Sequence, residues 1–208
     1  NVVFADQLFW PDVPINKELK KSPDVAYSAF ISDVHVGSKE FLKEKFERFI
    51  SWLNKEEVSE EHKEIVDNLQ YLFISGDLVA GVGVYPGQEE ELTVPSIYDQ
   101  YEQFAQYIRK IPEHIHIIIC PGNHDAGRLS EPQPPISVEV APSLHEFSNV
   151  TLVSNPSLVT IHEQPGFPGF DMFIYHGYSF SYYVANVDSI RNNGGYHRAD
   201  LIMQFLLK

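Results

Sequence analysis

The sequence predicts an α/β sandwich, with sheets inside and helices outside. Short apolar runs of strand length alternate with stretches whose apolar residues recur at helical spacing. Several of the runs end directly on a turn that carries aspartate, histidine or asparagine. The chain has 208 residues, enough for one well-buried domain and hardly for two, and its 43% hydrophobic content is ordinary for a globular protein.

Residues 1–24, with Trp10-Pro11-Asp12-Val13-Pro14 and a lysine-rich turn up to Pro23, read as a short strand and a connector. Ala26 to Ser32 is a strand ending at Asp33. Ser38 is placed to cap a helix whose apolar positions Phe41, Leu42, Phe46, Phe49, Ile50 and Leu53 share a face. A second helical stretch runs from Glu60 to Leu69, and Tyr71 to Ile74 is a buried strand aimed at Asp77. Val79 to Pro95, glycine-bearing and acidic, is a long loop beside the expected site, and long loops in compact domains are often functional. Tyr98 to Ile111 is helical in period and Ile115 to Cys120 is the next strand. Residues 128–143 are proline-rich and irregular. Short strands follow near Thr151–Val153, Leu158–Ile161 and Met172–Tyr175, the last ending at His176. Ala199 to Lys208 is an amphipathic helix without a stop signal, and together with the first residue, Asn1, it gives the expectation of a trimmed chain.

Four turns carry the chemistry: Asp33-Val34-His35, Gly76-Asp77, Gly122-Asn123-His124-Asp125 and His176-Gly177. Singly, each reads as an ordinary polar turn. Together, each following an apolar run, they are how rigid strands assemble a metal site from distant sequence. Two aspartates, two histidines and an asparagine form a mixed oxygen and nitrogen donor set suited to manganese, iron or zinc, and manganese is the first choice for two divalent ions. Such a pair clamps phosphoryl oxygens and lowers the pKa of a bound water, so phosphate-ester hydrolysis is the chemistry it favours. His114 and His116 share one strand face and read as ordinary sheet residues; His62, His145, His162 and His197 lack partner motifs.

Composition narrows the alternatives. No apolar run approaches the ~20 residues that span a bilayer, and no secretory signal is visible. Cys120 is the only cysteine, which excludes a disulfide framework within the chain and fits a reducing cytoplasm. Fifteen Lys and Arg against 29 Asp and Glu give a net charge of −14, the wrong sign for broad binding to a phosphate backbone. Any polyanionic substrate would have to be held in part by another surface.

The order D-x-H, G-D, G-N-H-D and H resembles the calcineurin-like metallophosphoesterases. The stretches Ile31-Ser-Asp-Val-His-Val-Gly-Ser-Lys39, Gly83 to Leu92 and Pro121 to Pro134 are more closely similar to the small subunit family of the archaeal D-family DNA polymerases. That resemblance implies a sandwich of two central sheets flanked by helices and a proofreading 3′–5′ exonuclease acting on DNA 3′ ends. It implies as partner the large catalytic subunit of the polymerase, and as location the archaeal cytoplasm near the nucleoid, away from membranes. By resemblance Asp77 bridges two metals, Asp33 and His35 serve one, and Asn123 and His176 serve the other. His124 acts on the leaving group, and Asp125 either holds the His124 ring or caps its turn. The family's closing G-H-x-H does not occur in these residues. Residues 25–208 are therefore expected to be a phosphoesterase core without its final segment, following a connector from an absent upstream domain, and at best weakly active alone. A phosphatase, a cyclic-nucleotide phosphodiesterase and a non-catalytic structural polymerase subunit are the competing readings.

Overall fold

A computed structural model describes residues 18–206. The described residues divide into two compact units, one formed by residues 22–176 and the other by residues 18–21 with 177–206. In the first, strands β1 (Tyr27–Ile31), β2 (Leu69–Ser75), β3 (His116–Cys120) and β4 (Val150–Leu152) form a four-stranded sheet in that order. All three pairings are parallel, with Ala29 opposite Leu72 and Leu72 opposite Ile117. Helices α1 (Lys43–Leu53) and α2 (Glu60–Asp67) cross from β1 to β2, and α3 (Ile97–Ile108) crosses from β2 to β3. A second, antiparallel sheet pairs β5 (Ser157–Ile161) with β6 (Phe170–Ile174).

Alternation along β2 and β3 builds the two cores. Leu72, Ile74, Ile117 and Ile119 point to the helical side, where they join Phe46, Ile50 and Leu53 of α1 and Tyr101, Phe104, Ala105 and Ile108 of α3. Phe73, Ile118 and Cys120 point the other way and meet Ile161 and Ile174 of the second sheet. Both faces of the central strands are thus buried, which is why they read as unbroken apolar runs. Cys120 is fully buried and burial pushes its thiol up to about 12, so it serves as a small core residue. The expected sandwich, sheets within and helices without, is the fold observed.

The element boundaries differ from the sequence expectation where side chains found other work. Ser38 does not cap α1: its hydroxyl accepts from the Glu40 amide, its backbone pairs with Leu92, and the helix starts only at Lys43. Phe41 and Leu42 consequently precede the helix. The stretch expected to stay helical to Leu69 ends at Asp67, because the Asn68 side chain donates back to the Glu64 carbonyl and Leu69 enters the sheet. Helix α3 begins one residue earlier than its period suggested, capped by Ser96 accepting from the Asp99 amide. Among residues 1–24, those from 18 carry no helix or strand; the strand expected near Trp10 lies outside the described residues.

The second unit contains α4 (Phe180–Asn186), α5 (Asp188–Arg191) and α6 (Ala199–Leu206), with Ile190 and Ile202 buried and Tyr183 packed on Phe205 at 5.4 Å. The helix expected from Ala199 is present; its last two expected residues lie outside the described ones.

Truncating Phe104, fully buried where α3 meets the sheet, should cost about 3–5 kcal/mol in Phe104→Ala, measured by urea unfolding. A loss below about 1 kcal/mol would mean that α3 is not part of the cooperative core.

Candidate metal centre

The parallel strands β1, β2 and β3 end side by side, so the three turns that follow them lie together. Beyond the strands the first two turns continue to pair. The Asp33 amide donates to the Gly76 carbonyl, His35 to Asp77, Val36 to Leu78, and Ala80 back to Val36, all within 3.1 Å. This zipper holds Asp33, His35 and Asp77 at φ of 56°, 53° and 53°. A left-handed conformation costs most residues with a Cβ of order 1–3 kcal/mol and is kept only where the surroundings enforce it. Here it turns three potential ligands toward one point.

That point is the Asp77 carboxylate, 3% exposed. Ligand atoms of Asp33, Asp77 and His176 lie within 4.8 Å of one another, and so do those of His35, Asp77 and His124. Asp77 belongs to both groups. His35 Nε2 is 3.7 Å from Asp77 Oδ2, and His176 Nε2 is 3.5 Å from Asp77 Oδ1. The Asn123 carbonyl oxygen lies 3.0 Å from His176 Nε2, which puts it beside the group that contains Asp33 and His176. The structure thus brings together Asp33, His35, Asp77, Asn123, His124 and His176. The donors fit two divalent cations sharing one carboxylate: oxygen and imidazole ligands, preformed at contact distance, with no bulky group between them.

The glycines before Asp77 and Asn123 are required by this closeness. A Cβ on Gly76, whose φ is 87°, would sit 2.5 Å from His176 Nδ1. One on Gly122 would overlap the Asp77 carboxylate and lie 2.5 Å from its amide nitrogen. They make room for a ligand and its neighbouring turn.

The electrostatics follow from the same distances. His35, its Nε2 3.8 Å from the Asp33 carboxylate, holds the Asp33 carboxyl down to about 2, and Asp33 in return raises His35. Burial alone would discourage a charge on His176, but Asp77 and the Ser75 carbonyl outweigh it and raise the imidazole to about 9. For Asp77 burial works against ionisation, yet His176 and the His124 amide keep it lowered.

His124 and Asp125 do different jobs. The His124 Nδ1 lies 2.7 Å from the Ala80 carbonyl, which makes Nδ1 the protonated nitrogen and leaves Nε2 for the site. Its ring meets that of His35 edge-on at 4.6 Å. Asp125 does not reach the His124 ring. Its buried carboxylate accepts from the Gly122 and Leu78 amides and from the Tyr101 hydroxyl. Of the two roles expected for it, capping the turn is the one its bonds describe. Burial raises its pKa to about 6.

Four buried amides not singled out from the sequence keep the loops in place. Gln100, on α3, accepts from the Gly81 amide and donates to the Gly81 and Val94 carbonyls. Gln88 accepts from the Val84 amide and donates to the Ala80 carbonyl, bracing the acidic loop. Gln133 donates to the Gly122 and Arg128 carbonyls and accepts from Asn155, whose own carbonyl accepts the His176 amide at 2.9 Å. Their only sequence signal was their polarity, in loops for Gln88, Gln133 and Asn155 and within a helical period for Gln100, which many surface residues share.

Two outcomes are expected of this arrangement. Because His176 must release a proton held up to about pH 9, manganese affinity of the metal-free protein should rise with pH between 6.5 and 9, by at most about tenfold per unit for that proton. Calorimetric titration at several pH values checks this, and a pH-independent affinity would contradict it. Asn155→Ala removes the support of the His176 backbone and should weaken metal affinity about 10–100-fold; leaving the Gln133 side chain and the His176 amide unpaired should also cost about 1–3 kcal/mol of stability, measured by urea unfolding.

Known proteins share much of this sequence. The chain resembles the DNA polymerase II small subunit of Methanocaldococcus jannaschii, with 44% identity over 206 residues, 99% of this chain and 33% of that protein. The corresponding figures are 40% over 208 residues for the small subunit of Pyrococcus furiosus, covering 100% of this chain and 32% of that protein. For that of Methanothermobacter thermautotrophicus they are 41% over 206 residues, covering 99% and 40%. The chain therefore spans about a third of the length of the first two relatives. Residues 28–204 match the calcineurin-like phosphoesterase family model, a span that takes in all four site turns, and the chain belongs to that family.

Proposed function

We propose that this chain is the phosphoesterase portion of an archaeal DNA polymerase small subunit, and that it is a 3′–5′ exonuclease removing nucleotides from DNA 3′ ends. The observation that carries the reading is the Asp77 carboxylate shared by two ligand groups, with every turn of the motif in place as far as the chain runs. A docking platform that had lost catalysis would have no need to keep three ligand residues in left-handed conformations. The similarity to polymerase small subunits, over nearly all of this chain, favours DNA over a small phosphomonoester or a cyclic nucleotide. On this reading the partner is the large polymerising subunit, the location is the cytoplasm, and the metal is manganese. The net charge of −14 supports a partner that supplies the DNA-binding surface. The two histidines of the family's closing motif would come from the rest of the protein.

When bound, the metal pair supplies a water activated near neutral pH and charge compensation for the phosphoryl oxygens. Asp33, His35, Asp77, Asn123 and His176 hold it. His124, its Nδ1 tied to Ala80, offers Nε2–H to the departing 3′ oxygen in its imidazolium form. Cleavage of the phosphorus–oxygen bond then yields a nucleoside 5′-monophosphate and a strand shortened by one residue, with the proton on the new 3′ hydroxyl. Asp125 keeps the turn that presents both Asn123 and His124.

In the complete small subunit bound to its large subunit, His124→Ala should lower the exonuclease rate about 100-fold or more while manganese content stays unchanged. Loss of metal together with activity would make His124 a ligand, an alternative its place in the His35–Asp77 group makes specific.

A further inference from the structure

A cavity of about 700 Å³ opens beside the metal cluster. The turn before α1 and its first half contribute Phe41, Leu42 and Phe49, and the acidic loop contributes Tyr85. His35 and His124 belong to the same lining, so the cavity is continuous with the site; the Tyr85 ring lies 6.3 Å from that of His124. Leu42 is 71% exposed and Tyr85 40% exposed, large apolar groups left in water at the edge of a groove. None of these four residues contributes to the metal cluster.

The loop that forms one wall is fixed in advance. Lys39 donates through Nζ to the Glu90 carbonyl and through its amide to that of Glu91, and the Thr93 amide donates to Gly37. Tyr85 donates to the Glu91 carboxylate, which sets its ring. The charged lining groups are Glu40 and Glu91, with Lys45 as the cation and Asp33 at the metal end. An apolar, aromatic groove with more acidic than basic groups is a poor place for phosphate and a good one for a flat, uncharged ring.

We propose that this groove seats the terminal nucleobase of a single-stranded DNA end whose phosphodiester lies at the Asp77 centre. The proposal rests on the phosphodiesterase reading above and assigns the ligand of its neighbouring surface. The metal site takes the phosphate, and the base lies against Tyr85 and Leu42. A base still paired would bring the opposite strand's phosphates toward Glu40 and Glu91. The groove therefore selects unpaired ends over paired ones, through charge repulsion.

The test uses the complete small subunit and two fluorescein-labelled single strands, identical except that one ends in a 3′ base and the other in an abasic residue. With metal chelated, anisotropy should show the base-ended strand binding about tenfold more tightly, the effect of one base–aromatic contact. Tyr85→Ala and Leu42→Asn, both at exposed positions, should each bring that ratio toward one without changing affinity for the abasic strand. Equal binding of the two strands by the unsubstituted protein, or an unchanged ratio in both variants, would overturn the proposal. Hydrolysis with manganese is measured in parallel. Base-dependent binding without cleavage would overturn the exonuclease reading and leave the groove assigned; cleavage without base dependence would do the reverse.

Discussion

The sharing of one buried carboxylate between two groups of ligands is the constraint on which the rest of the structure depends. Asp77 can reach Asp33 and His176 on one side and His35 and His124 on the other only because three parallel strands end in register and their turns close over one point. Parallel strands need crossovers, which places α1, α2 and α3 on one face and leaves the strand ends clear for chemistry. The glycines at 76 and 122 follow from the same closeness, since a Cβ at either would strike His176 or Asp77. So does the left-handed backbone at Asp33, His35 and Asp77.

Concentrating ligands in this way is unfavourable before a metal arrives. In the metal-free protein the imidazoles offset the acidic charge, His176 against Asp77 and His35 against Asp33, which is why both imidazoles are raised and both carboxyls lowered. At a metal-loaded site, His35 and His176 would give up those protons and the same compensation would come from the bound cations. The loops resist rearrangement because buried amides from Gln88, Gln100, Gln133 and Asn155 satisfy their backbone groups internally. The acidic loop is held on both flanks, by Gln100 and by Lys39, and so presents Tyr85 in a fixed position beside His124. Support and substrate surface are built from one segment.

Much of this was legible in the amino-acid order, for physical reasons. Strands buried on both faces announce themselves as apolar runs, so β1, β2 and β3 were found close to their true limits, and each polar turn could be placed at a strand end. What escaped was whatever depends on a partner distant in the chain. Ser38 looks like a helix cap by local rules, but its pairing with Leu92, far along the sequence, claims it first. For Asp125 the sequence left two roles open, holding the His124 ring or capping its turn; the partners that decide, Tyr101 and two amides, lie mostly far along the chain. The short helices α4 and α5 carry no apolar period long enough to be seen.

The account stands on Asp77 joining two cation sites, and a crystal of the protein soaked in manganese tests that most directly. Anomalous scattering should show two peaks on either side of the Asp77 carboxylate, both within reach of it and lying among Asp33, His35, Asn123 and His176. A single peak away from Asp77, or two that do not share it, would contradict the account.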